Sequence, residues 1–240
     1  MDISVGDVRQ AMTELGELRF GATPVDEAMH RIVQTTHAIF DVDGAGLMLV
    51  DADDQLRNAA VSDARFDHLE QLQITHHEGP CISAYEDKQL VCAEDLDEDA
   101  RWPDFTAAAL SKGIRAVLAS PIPYNQQAIG VVGVVSEDRR PWSPEGELAL
   151  LAFTDLAALL IASMLHAEKQ SDLAAQLQGA LDSRAVIEQA KGVLMREHGV
   201  SARAAFELLR AQARRERRRL AGVAADIVQN THRAGTDVRT

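Results

Sequence analysis

Residues 115–136 read RAVLASPIPYNQQAIGVVGVVS. Two runs rich in Val, Ile and Leu, Arg115–Ile122 and Ala128–Ser136, flank Asn125 and Gln126, which carry turn chemistry. The stretch therefore predicts two strands joined by a tight connection. Working outward, Ala45–Val50 (AGLMLV) reads as another strand, Asp51–Asp54 as a turn, and Gln55–Ser62 and Gln89–Ala93 as further strands. Helical patterns at Phe66–Gln73 and Pro103–Lys112 fall between them. This mixed order predicts an antiparallel sheet with helices packed on it, an α+β class.

Before the sheet, Val5, Val8, Met12, Leu15 and Leu18 recur at helical spacing, and so do Ala28, Met29, Ile32, Val33 and Ile39 after Thr23-Pro24. After it, Ser143-Pro144 opens one long helical pattern, expected to continue to about His198. Its segment Leu148–Leu165 has the length of a membrane span. Asp155 near its centre would cost roughly 2.5–3.5 kcal/mol to insert, so a helix covered by the sheet on one side and by a second copy on the other is the better reading, with no membrane. Leu173, Leu177, Ala180, Ile187 and Leu194 follow a seven-residue frame, while His166, Gln170, Arg184 and Lys191 put polar groups in the seam. That is a compromised coiled coil.

The whole chain of 240 residues carries a net charge of −13, but residues 1–170 hold −17 and residues 171–240 hold +4. Within 184–219 there are ten basic and four acidic residues. An acidic front and a basic tail suit a tail that meets a polyanion. The basic candidates are Arg184, Lys191, Arg203, Arg210, Arg214, Arg215, Arg217, Arg218 and Arg219. Guanidinium groups suit phosphate because they are planar, permanently charged and donate two parallel hydrogen bonds. Two short helices hold the cluster: Ser201 caps one with Ala205, Phe206 and Leu209 on a face, and the other carries Leu220, Val223, Ala224, Ile227 and Val228.

Residues 181–228 resemble the ANTAR domain of bacterial transcription antiterminators through Ser183-Arg184, Ile187-Glu188-Gln189-Ala190-Lys191-Gly192, Leu194-Met195, Gly199, Ala205-Phe206, Leu208-Leu209-Arg210 and Val223-Ala224. The resemblance implies a three-helix module that binds paired hairpins in nascent RNA, two copies at a time, and keeps a terminator from forming. Its core and motif positions here are Ile187, Ala190, Gly192, Leu194, Phe206, Leu209, Val223 and Ala224. Ala190 and Gly192 are read as places where a neighbour approaches closely, and Phe206 as core in preference to a base-stacking platform.

Residues 24–165 are similar to GAF domains through His77-Glu78-Gly79-Pro80-Cys81, Val91-Cys92-Ala93-Glu94-Asp95-Leu96, Arg101-Trp102-Pro103 and Ala116–Gly133. That similarity implies a small-molecule or signal sensor and a dimerisation module, with candidate pocket residues His77, Cys81, Tyr85 and Cys92. The ligand stays open: no cyclic-nucleotide pattern, metal spacing or phosphate-cradling glycine loop is present, and no enzyme motif is found. Two cysteines and no export signal make the cytoplasm the expected compartment. The expected organisation is a sensor domain at 1–165, a connecting helix at 166–180, the RNA-binding module at 181–232 and a tail at 233–240. A sensor with a DNA-binding helical tail, or a dimerisation module for a protein partner, remains an alternative.

Overall fold

The computed structural model describes residues 24–51, 53–125, 127–167 and 172–236, with Gly6, Arg9, Thr13 and Leu15 ahead of them. The chain divides into two compact units, one of residues 1–50 and 56–175, the other of residues 51–55 and 176–240.

In the first unit, helix α1 (Val25–Phe40) precedes strands β1 (Gly44–Val50) and β2 (Leu56–Val61). Helices α2 (Ala64–His76) and α3 (Pro80–Asp87) follow, then β3 (Val91–Ala93), a single 3-10 turn at Leu96–Glu98, α4 (Pro103–Ser111), β4 (Ala116–Tyr124), β5 (Gln127–Ser136) and α5 (Pro144–Ala167). The five strands form one antiparallel sheet in the order β2-β1-β5-β4-β3. Strand β1 is buried at every residue, and β5 at nearly every one. Both faces of the sheet carry helices, so these strands are apolar runs without alternation. The β4–β5 turn pairs Tyr124 with Gln127, and Asn125 takes the left-handed conformation (φ 46°) that its side chain tolerates. Strand β3 reaches only Val117–Ala119 of β4. Pro121 and Pro123 lie beyond it, where a missing N–H costs no ladder bond.

The register fixes which side chains face which helices. Ser120 Oγ lies 3.1 Å from Thr154 Oγ1 of α5, so Ser120, Leu118 and the opposing Val132 and Val134 face α5. Ala119 and Gly133, one residue out of phase, face α2 and α3, as does Gly46, which pairs with Gly133. Helix α3 was absent from the sequence expectation. It is eight residues long and starts at Pro80, directly after Gly79 at φ 133°, a sharp entry that short-range periodicity does not signal.

Helix α5 is sealed by the sheet along Phe153, Thr154, Ala157, Leu160 and Ile161. Its outer side leaves Leu148 67% and Leu159 66% exposed, with Leu151 and Asp155 on the same face. The segment Pro144–Ser163 is long and apolar enough to cross a membrane, at a mean hydropathy of 1.7, but half of it is buried inside the protein.

The second unit holds α6 (Asp172–His198), α7 (Ala202–Glu216) and α8 (Leu220–Thr236). Ile187, Ala190, Leu194, Ala205, Leu209, Ala213, Leu220, Val223 and Ala224 form its core, with Phe206 packed at the margin. Gly199 (φ 64°) ends α6 by donating its N–H to Met195 O at 2.9 Å, and Ser201 Oγ accepts from Ala204 N to start α7. The expected junction of one uninterrupted helix at 168–171 lies outside the described residues, as do the side chains of the seam positions His166, Gln170, Leu173, Leu177 and Ala180. Gly192 corrects the expectation of close packing: it is exposed, and a Cβ there would meet nothing within 4 Å.

Candidate functional site

In the second unit the nine candidate cations separate into two groups. Arg184 is buried, 6% exposed, with Nη1 3.4 Å from Asp54 Oδ1 of the same unit. It is therefore set apart from the exposed members of the set. Lys191 reaches Glu188 Oε1 at 2.9 Å and Arg210 reaches Glu207 Oε1 at 3.1 Å. Both lie over the ring of half-buried Phe206, at 5.6 and 6.0 Å from its centre. This is a cation–π arrangement that gives Phe206 a polar cover as well as its core contact. Arg218 is held by Glu216 (3.2 Å) and Asp226 (2.6 Å) and donates to Gly222 O. Its guanidinium is pushed further up by the hydrogen bond to Asp226.

The remaining arginines all reach the surface. Arg203 is exposed on α7. Arg214, Arg215, Arg217 and Arg219 are all exposed, and among the described residues no ion pair holds their side chains. They stand where α7 ends and α8 begins. Arg217 closes α7 in the left-handed conformation (φ 53°), its N–H donating back to the carbonyls of Ala213 and Arg214. A left-handed cap is ordinarily glycine, so the chain keeps a cation where a smaller residue is favoured. The result is a compact turn in which four of the five arginines, all but Arg218, have no ion pair among the described residues.

In the first unit the four candidate pocket residues do not come together. Cys81 and Tyr85 are buried on α3, and His77 sits in the α2–α3 turn at φ 54°. Cys92 pairs with Leu118, so it faces the opposite side of the sheet from Cys81, which lies under Gly133 at 3.0 Å from the position of a Cβ there. Burial pushes the Cys81 thiol up to about 12, with Glu70 adding to the rise. Cys92 is pushed to about 11, again chiefly by burial, then by Glu147 and Glu94. Neither thiol is a ready nucleophile. Among the described residues no three His, Cys, Asp or Glu side chains are placed to hold a metal ion.

Cys92 lines a cleft of about 270 Å³ with Glu94, Asp95, Glu98, Asp99, Arg101 and Arg139. The charges there are largely satisfied within the protein: Arg115 hydrogen-bonds Asp95, Arg101 hydrogen-bonds Asp99, and Arg139 lies 3.6 Å from Glu98. The Arg115 hydrogen bond holds Asp95 below the usual carboxylate range, and the Arg101 hydrogen bond does the same for Asp99. The side chain that sequence reasoning missed is Glu70. It shares the inward face of α2 with Phe66, Leu69 and Gln73, all buried, and is itself 7% exposed. An acidic residue at an i, i+3, i+4, i+7 apolar position was the available signal.

Comparison with known proteins places these units. Residues 24–161 match the GAF domain family and residues 175–228 match the ANTAR domain family. No curated protein matches the chain. Among solved structures, the chain is similar to the GAF domain of a phosphoenolpyruvate-protein phosphotransferase from Acinetobacter (TM-score 0.52, 16% identity, covering 66% of this chain and 92% of that one). It is similar to the corresponding domain from Coxiella burnetii (TM-score 0.51, 16% identity, 66% and 92% covered). A free methionine-R-sulfoxide reductase from Neisseria meningitidis is also similar (TM-score 0.51, 16% identity, 67% and 89% covered). At these identities the likeness establishes the fold alone. The chain belongs to the GAF family and carries an ANTAR domain in its C-terminal helices.

Proposed function

We propose that this protein is a signal-responsive RNA-binding antiterminator, regulatory and not catalytic. The ANTAR unit grips paired hairpins of a nascent transcript so that a terminator does not form, and the GAF unit sets when it does so. The observation that carries the reading is the exposed turn of Arg214, Arg215, Arg217 and Arg219, whose charges are left for an external polyanion, within an ANTAR domain. Phosphates of the stems bind to that turn, while Lys191 and Arg210 around Phe206 meet unstacked loop bases. The match to a GAF domain supports the sensor role.

Two copies act together. The exposed Leu148, Leu151 and Leu159 on one face of α5 supply an apolar strip, and a second copy of the chain covers it. Binding to an RNA with two hairpins, compared with one hairpin, scrambled loops and duplex DNA over a salt series, tests the reading. The expected order is two hairpins over one, and one over scrambled loops, with duplex DNA weakest. Equal affinity for all four RNAs and DNAs would leave only a non-specific cation surface.

A further inference from the structure

The loop Asp51–Gln55 joins β1 to β2, yet it belongs with the C-terminal helices to the second compact unit. It carries aspartates at 51, 53 and 54 and no cation, in a unit whose remaining residues are more basic than acidic. The loop holds its own shape. Asp51 Oδ1 accepts from the N–H of Asp53 at 2.9 Å and from that of Gln55 at 3.0 Å, and Asp54 N donates to Asp51 O at 3.0 Å. Asp54 stands in the left-handed conformation at φ 57°, which aspartate and asparagine tolerate.

That shape presents one carboxylate to one guanidinium. Asp54 Oδ1 lies 3.4 Å from Arg184 Nη1 of α6, and the two side chains are only 8% and 7% exposed. The neighbouring Asp53 is exposed. Desolvation offsets most of the attraction in a buried ion pair, so such a pair adds little net stability, but separating it strands both charges. Arg184 can therefore leave Asp54 only for another anion or for water. A nucleic-acid phosphate is an anion of the right geometry, since it accepts the same parallel hydrogen bonds from a guanidinium as a carboxylate does.

The place of Arg184 on α6 decides which surface it would join. Lys191 follows seven residues later, two helical turns and about 10 Å along the axis, on the same side of the helix. Lys191 and Arg210 cover the Phe206 ring. An Arg184 released from Asp54 extends that cationic row by one position.

We propose that the Asp51–Gln55 loop is an autoinhibitory latch: the Asp54 carboxylate occupies Arg184 in place of an RNA phosphate, and opening the pair adds Arg184 to the RNA surface. The inference rests on the antiterminator reading and names a regulatory contact of that same surface. Both ends of the loop continue into sheet strands, β1 and β2, so a change in that hairpin reaches the latch through the backbone. By linkage, RNA that engages Arg184 favours the open latch to the same extent that opening favours RNA.

The test uses the full chain and a one-hairpin RNA titrated over a salt series. Asp54→Asn keeps the left-handed turn and removes the charge. It is expected to bind about five- to eightfold more tightly than wild type near about 0.1 M salt, with a slope of log K against log salt steeper by about 0.7–0.9, the mark of one more phosphate contact. Adding Arg184→Gln to that variant returns both values to those of wild type. Asp53→Asn removes the same charge from the exposed neighbour and leaves both values where they were. An unchanged slope in D54N, a gain that survives R184Q, or an equal gain in D53N overturns the latch. Should D54N fail to fold by circular dichroism, hydrogen exchange of the wild-type chain decides: hairpin RNA is expected to speed exchange at the amides of Asp54 and Gln55, and exchange unchanged or slowed overturns the latch. Hairpin binding that is identical in wild type and D54N refutes the latch alone. Binding by D54N where wild type shows none supports both latch and antiterminator. If neither chain binds hairpins at low salt, the antiterminator reading falls and the latch falls with it.

Discussion

Replacing Arg217 with glycine separates the stability of the ANTAR unit from its RNA affinity. Arg217 caps α7 at φ 53°, where a residue with a Cβ is strained by roughly 1–2 kcal/mol. Glycine removes that strain but adds unfolded-state freedom worth about 0.5–1 kcal/mol. The net expectation is a gain of about 0.5–1 kcal/mol, or about 2–8 °C in the midpoint of a unit this size. No contact of the guanidinium opposes the gain, because the side chain is exposed and unpaired among the described residues. Affinity moves the other way. Four phosphate-binding arginines give a slope of log K against log salt of about −3 to −3.5, and removing one reduces its magnitude by about 0.7–0.9. Thermal unfolding and hairpin binding across salt, on the same variant, read both numbers. A lower midpoint would refute the strain argument, and an unchanged slope would remove Arg217 from the phosphate surface. Arg217→Asn is a useful comparator, since asparagine tolerates the left-handed cap yet also loses the charge.

Four more expectations follow from the packing. Glu70 has a raised folded-state pKa, so its contribution to stability is full at low pH and is lost progressively as pH rises through that value; Glu70→Gln is expected to flatten this fall, and chemical denaturation from pH 5 to 9 checks it. Gly192→Ala is expected to stabilise α6 by about 1 kcal/mol, because nothing crowds the added methyl, and a loss of RNA binding in the same variant would mark that exposed position as an interface. Leu209→Ala, in the centre of the three-helix core, is expected to cost about 3–5 kcal/mol and to remove helical signal from the unit along with RNA binding. Both thiols are expected to react slowly with a disulfide reagent at pH 8 in the native protein and quickly in denaturant, with fast native labelling of Cys81 the contrary result.

The strands were readable because each is a run of Val, Ile and Leu ended by turn residues, and Asn125 marked the central hairpin correctly. Helix α3 escaped because eight residues are too few for a period, and because its start depends on the backbone of Gly79, not on a side-chain cap. The basic cluster was legible as composition, but its internal division was not. Arg218 is neutralised by Asp226, eight positions away across a turn, and Arg184 is buried. Charge counting treats both like Arg219. Gly192 shows the opposite error: a small residue in a helix suggested a close neighbour, and its surroundings are open. Glu70 stood in the apolar pattern of its helix, yet only the register of Gly46 against Gly133 reveals what it faces.

The placement of Cys81 and Cys92 on opposite sides of the sheet has a mechanical corollary. A sheet is one layer of backbone, so β4 and β5 form a common wall between two compartments, with α2 and α3 in one and α5 in the other. An occupant that lifts α2 away cannot touch α5 directly. Any effect on the long helix would have to pass through the shared strands, to which Ser120, hydrogen-bonded to Thr154, rivets it. The sheet is thus a diaphragm, with two short helices on one side and the long helix on the other.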